Sequence, residues 1–143
     1  MTEVEVRQVA GSSFLARGPS NHWVPIDAPI DEQGQDAGAR PMELLLMALG
    51  GCTGIDVVLM LKKMRVPIDD LQIKLSGERA EEPPRSFTAI KISYHFWGND
   101  LPLAKLQRAV ELSQENYCSV AHTINQAANI SSEIITHPPE ETL

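Results

Sequence analysis

Valines at positions 4, 6 and 9 alternate with charged or polar residues through TEVEVRQV (residues 2–9), the period-two pattern of a half-buried strand. Gly11, Ser12 and Ser13 form a turn, residues 14–17 the return strand of the same hairpin, and residues 22–26 a third strand. Residues 27–40 are polar and rich in Gly, Asp and Pro, which predicts an exposed loop. Then the pattern changes. Residues 41–64, PMELLLMALGGCTGIDVVLMLKKM, predict one long helix, with Pro41 where a first turn tolerates proline and Glu43 placed to favour the helix dipole. Lys62, Lys63 and Arg65 suit its C-terminus, and Pro67 stops it. No charged side chain lies between Leu44 and Ile55, and only Asp56 interrupts the run before Lys62. A helix apolar on every side belongs in an interior, with partners on several faces.

Alternation resumes at LQIKLSGE (residues 71–78), with Leu71, Ile73 and Leu75 on one face, and after an EEPPR turn again at residues 87–97, where Ile90, Ile92, Tyr94 and Phe96 face one way. Leu103, Leu106, Val110 and Leu112 recur at helical spacing as far as Ser113, and Asn116-Tyr117 breaks or bends that helix. Residues 119–126 predict a second short helix, 130–136 a last strand, and 137–143 a disordered tail. This order predicts an α+β fold, an antiparallel sheet with helices on one side, in a single domain over residues 1–143. One sheet and one shorter helix cannot cover a long helix that is apolar all round, so two copies are expected to share a core as a homodimer. Gly50, Gly51 and Gly54 each cost such a helix roughly 0.5–1 kcal/mol relative to alanine. Gly50 and Gly54 share a face, and either tight core packing or room around Cys52 for a small substrate or a second helix accounts for them.

Charge and composition narrow the function. A formal net charge of -7 argues against nucleic acid or an anionic membrane as partner. Twelve uncharged residues (44–55) are too few to span a bilayer, so a buried core helix is expected rather than a membrane segment. Residues 1–9 contain no apolar stretch of the signal-peptide kind, and a cytoplasmic location is the default. There, the two cysteines of the chain are catalytic, redox-active or inert more often than bridged.

A single free cysteine is most commonly a small buried filler. Cys52, however, is flanked by Gly51 and Thr53, which leave its sulfur unshielded. Cys118 falls at a predicted helix N-terminus, where N–H groups favour a thiolate, and His122 lies one turn on. By residue type, Cys52, Cys118 and His122 with Asp56 would also suffice for zinc, although no Cys-x-x-Cys or His-x-x-x-His spacing supports a metal site. A third reading is a non-enzymatic dimer holding a small apolar ligand over Gly50 and Gly54.

The segments PMELLLMALGGCTGIDVV (41–58) and ENYCSVAHTI (115–124) resemble the two cysteine motifs of the OsmC/Ohr family of peroxide reductases, nearest to its YhfA-like branch, and the element order agrees over residues 3–136. The resemblance implies an intertwined homodimer that reduces small organic hydroperoxides in oxidative-stress defence, without a cofactor. It also implies Cys52 as peroxidatic thiol, Cys118 as resolving partner, and a small dithiol such as a lipoyl group as reductant. In better-known members a glutamate directly follows the proline of the first motif and pairs with an arginine beside the reactive thiol. Here Met42 holds that position and Glu43 lies one step on, about 100° further round the helix. Arg40, near in sequence, or Arg17, from the hairpin, would supply the cation, and Ser119 stands where a proline is common after the second cysteine.

The cation matters for a physical reason. A free thiol is only about 3% thiolate at pH 7, so full ionisation would raise its rate roughly 30-fold. Lowering the pKa by about three units costs roughly 20-fold in nucleophilicity. The two nearly cancel, and a large acceleration must come from a fixed cation or N–H stabilising charge on the departing oxygen.

Overall fold

The computed structural model describes residues 1–139 of the chain, which divides into two compact units, Met1–Leu45 and Leu46–Leu143. In the first, the period-two pattern forms β1 (Glu5–Ala10), antiparallel to β2 (Ser13–Arg17), which pairs in turn with β3 (Val24–Ile26). β1 starts at Glu5 rather than Thr2 because its ladder ends where Glu5 faces Arg17, the last residue of β2. Every residue of β1 is exposed, Val6 and Val9 included. The apolar side that the alternation marks is therefore uncovered in a single chain.

The predicted polar loop contains one feature its composition hides. Asp27 is only 1% exposed. Its carboxylate accepts bonds from Ser12 Oγ (2.6 Å) and Ser13 Oγ (2.8 Å), and from the N–H groups of Ala28, Gln35 and Ala37. These donors, Ser12 foremost, hold the carboxyl well below the usual carboxylate range against the opposing effect of burial. A charge saturated with donors can be buried, and this one ties the hairpin turn to the loop. Arg40 closes the loop: its guanidinium pairs with Asp36 and donates to the Gly38 carbonyl (2.8 Å), while its backbone N–H donates to Glu43 (3.1 Å).

The long helix, α1 (Pro41–Lys63), runs as predicted to within a residue. Arg65, at a left-handed φ of 57°, turns the chain out of it. Three strands follow in the order β4 (Asp70–Arg79), β5 (Phe87–Trp97), β6 (Asn129–His137). β4 and β5 form an antiparallel hairpin, with Ile73 opposite Tyr94. β6, however, pairs with β5 in parallel, Ile90 opposite Ile130, so the expected all-antiparallel sheet is in fact mixed. The cause is the connection: α2 (Leu103–Leu112), a π-helical turn (Ser113–Tyr117) and α3 (Ser119–Ile124) carry the chain back to the starting end of β5, and a crossover of that length permits parallel pairing. His137, assigned from sequence to a disordered tail, instead ends β6, and the rest of that tail from residue 140 lies outside the described residues.

Leu49, Thr53, Val57 and Leu61, spaced one turn apart, form the fully covered stripe of α1, and Ile90, Ile92, Tyr94 and Phe96 are the fully covered residues of β5. The helix comes so close to β4 that a Cβ on Gly50 would lie 2.7 Å from Leu75 Cδ1, and one on Gly54 would lie 3.0 Å from Ile73 Cδ1. Of the two explanations for the glycines, tight packing holds at these positions, whereas Gly51 faces open space. The helix is not buried all round, as its composition suggested. Met47, Ile55, Val58 and Leu59 are each roughly half exposed, because one sheet and one flanking helix cover a single stripe. In length and mean hydropathy (2.1) α1 could cross a bilayer, yet its covered stripe is packed on the sheet.

Candidate thiol site

Cys52 and Asp56 project from the same face of α1, one turn apart, and Cys118 caps the N-terminus of α3. The two Sγ atoms and a carboxylate oxygen of Asp56 all lie within 4.8 Å of one another. Local backbone geometry makes this possible. The π-helical turn closes with the Cys118 N–H donating to the Ser113 carbonyl (2.7 Å), a five-residue step that winds one extra residue into the helix end. Ser113 is thereby turned inward and Cys118 is seated, fully covered, where the next helix begins.

A continuous run of hydrogen bonds supports the thiols from behind. Gln114 Nε2 donates to Tyr94 Oη (3.1 Å), Tyr94 Oη and Thr53 Oγ1 are 2.7 Å apart, Thr53 Oγ1 and Ser113 Oγ 2.9 Å, and Ser113 Oγ and Asp56 Oδ2 2.9 Å. Burial raises the Tyr94 phenol above its ordinary pKa, so it keeps its proton. Beside Asp56 opens a hollow of about 280 Å³ lined mainly by Leu59, Met60, Met64, Leu112 and Tyr117, with Lys63 also on its wall.

The electrostatics of Cys118 reverse the expectation drawn from its helix N-terminus. One N–H, that of Ala121, reaches its sulfur (3.3 Å). Burial, then the neighbouring Cys52, pushes the thiol up to about 12. α3 has only six residues, and one weak donor cannot offset full burial of a thiolate. Cys118 is a neutral thiol at physiological pH, whereas Cys52 is only partly covered.

Of the residues singled out from sequence, the structure brings Cys52, Cys118 and Asp56 together. His122 is not among them: its Nε2 donates to the Glu115 carbonyl (2.8 Å), so the zinc set built on that ring is not assembled. Cys52, Cys118 and Asp56 alone would offer three donors, one short of a closed structural zinc site. Arg40 and Glu43 lie in the first unit with the bonds described above. Arg17, the other candidate cation, pairs with Glu5 (3.4 Å) and stands 4.7 Å from the centroid of the Trp23 ring. Sequence reasoning missed Thr53, Tyr94, Ser113 and Gln114. Their partners come from three different elements, and only Asp56, the lone charge in an apolar run, carried a signal.

A model of the family described as OsmC-like protein matches residues 34–133. The chain belongs to the OsmC family. It is 43% identical over 129 residues to Protein YhfA of Escherichia coli K12, covering 90% of this chain and 93% of that protein. A solved structure of a hypothetical protein from Aquifex aeolicus superposes on this OsmC-family chain with a TM-score of 0.85 at 32% identity, over 98% of each chain. The organic hydroperoxide resistance protein OhrB of Bacillus subtilis shares the fold, with a TM-score of 0.62 at 18% identity, over 94% of this chain and 97% of that one.

Proposed function

We propose that this OsmC-family protein reduces small organic hydroperoxides through a two-cysteine cycle, with Cys52 as the peroxidatic and Cys118 as the resolving thiol. The observation that supports the reading best is the convergence of two free thiols, far apart in the chain, to within 4.8 Å. The roles follow from exposure and charge: Cys52 is the less covered residue of the two, and Cys118 is buried and neutral. The fold shared with an organic hydroperoxide resistance protein points the same way.

In the first step the Cys52 thiolate attacks the peroxide; an S–O bond forms, the O–O bond breaks, and the alkoxide leaves as alcohol after taking a proton. The resulting sulfenic acid condenses with Cys118, giving a disulfide and water, and an external dithiol of the lipoyl type reduces the bridge. The sulfurs must close to about 2.05 Å for that bond, a movement of about 3 Å at most. A dithiol-driven reset requires a reducing compartment, so the cytoplasm is the proposed location.

The working unit is proposed to be a homodimer. Val6 and Val9 on β1 and Met47, Ile55, Val58 and Leu59 on α1 are large apolar residues exposed in the single chain, more than isolated surface residues would explain. A second copy of the same chain would cover them. Sedimentation at micromolar concentration should return twice the chain mass, and Ile55→Asp should shift the protein towards monomer; a monomeric wild-type protein refutes the dimer.

Mass spectrometry tests the redox proposal directly. Reduced protein given one equivalent of cumene hydroperoxide should lose two hydrogens in mass, and peptide mapping should join Cys52 to Cys118. Unchanged thiols would refute it.

A further inference from the structure

We propose that Asp56 is the general base of the resolving step: its carboxylate takes the proton from Cys118 as that sulfur attacks Cys52. This assignment rests on the two-cysteine reading, and it explains how a covered thiol can act at all. Burial and the neighbouring Cys52 push the Cys118 thiol far above its ordinary value, so it keeps its proton at pH 7. A neutral thiol is a poor nucleophile, so the attack needs a proton acceptor at hand.

Geometry singles out Asp56 for that task. An Asp56 carboxylate oxygen lies within 4.8 Å of both sulfurs. His122 Nε2 is engaged by the Glu115 carbonyl, and the Tyr94 phenol is held protonated.

The hydrogen-bond run behind the site also has only one possible direction. The Gln114 amide nitrogen can only donate and an ionised carboxylate can only accept. The three hydroxyls between them must therefore all point the same way, Tyr94 to Thr53, Thr53 to Ser113, and Ser113 to Asp56 Oδ2. This run fixes the orientation of the Asp56 carboxylate. The carboxylate oxygen within 4.8 Å of both sulfurs is placed to receive the thiol proton.

The step balances. The Cys118 sulfur lone pair forms the S–S bond, and the S–O bond of the Cys52 sulfenic acid breaks with its electron pair on oxygen. Asp56 hands the Cys118 proton to the departing hydroxide, which leaves as water. Asp56 ends the step ionised, ready for the next cycle.

The closing rate can be read without peroxide. Loading the accessible Cys52 with 5,5′-dithiobis(2-nitrobenzoate) leaves a mixed disulfide, and attack by Cys118 releases a second thionitrobenzoate, followed by stopped-flow absorbance. In the wild type this second release should be nearly flat from about pH 6 to pH 9, because the thiol hands its proton to a group inside the site rather than to solvent. Asp56→Asn keeps the shape and can still accept from Ser113, but cannot take a proton. It should slow closure by about 10²–10⁴-fold and make the rate climb tenfold per pH unit.

Closure by Asp56→Asn within threefold of wild type, with the same pH profile, overturns the assignment. So does a wild-type rate that itself climbs tenfold per pH unit, a result that needs no variant to fold. A parallel arm with cumene hydroperoxide separates the two proposals. A wild-type protein that closes flat after the aromatic disulfide but ignores peroxide keeps the base and loses the peroxidase.

Discussion

Replacing Cys52 with serine is expected to abolish turnover of an organic hydroperoxide, a loss on the order of a thousandfold or more. The thiolate is the group that accepts the peroxide oxygen, and a serine hydroxyl neither ionises near neutral pH nor offers a sulfur on which a sulfenic acid can form. Serine is close to cysteine in size and Cys52 is only partly covered, so the fold should survive and the loss should be chemical. The check is peroxide consumption under a dithiol reductant, with circular dichroism as a control. Unchanged consumption by Cys52→Ser would remove Cys52 from the mechanism.

Replacing Cys118 with serine should give a different failure. The first equivalent of peroxide should be consumed as in the wild type, because Cys52 is untouched. No disulfide can then close, and the sulfenic acid should persist and advance to sulfinic and sulfonic forms under excess peroxide. Steady-state turnover should therefore collapse after one cycle, unless the dithiol itself reduces the sulfenic acid at a slower rate. The substitution should not weaken α3, since a serine oxygen at that N-cap can accept the Ala121 N–H at least as well as sulfur does. Mass analysis of Cys52 after several equivalents of peroxide separates the outcomes; sustained wild-type turnover without over-oxidation would show that Cys118 is not the resolving thiol.

These expectations depend on the sulfurs being adjacent, which local sequence could not show. Cys52 and Cys118 belong to helices separated by a hairpin and an amphipathic helix, and nothing in their spacing places them together. The resemblance of residues 41–58 and 115–124 to paired cysteine motifs pointed to the pairing; the folded chain supplies its geometry. The thiolate expected at Cys118 failed for an instructive reason. A helix N-terminus is visible in sequence, but the burial that outweighs its N–H group arises from packing by other elements.

Periodicity alone determined much of the fold. The change from a period of two to an uninterrupted apolar run, the proline and cation boundaries of α1, and the alternation through β5 placed the main elements within a few residues. That success reflects local physics, because capping, helix arrest and strand alternation are decided by neighbours in the chain. The lone carboxylate at Asp56 was also legible, as an oddity. The parallel pairing of β6, the buried anion at Asp27 and the one-way hydroxyl run from Gln114 to Asp56 were decided only in three dimensions. Each depends on which distant groups meet and how far water is excluded when they do, and neither quantity is a property of a short stretch of chain.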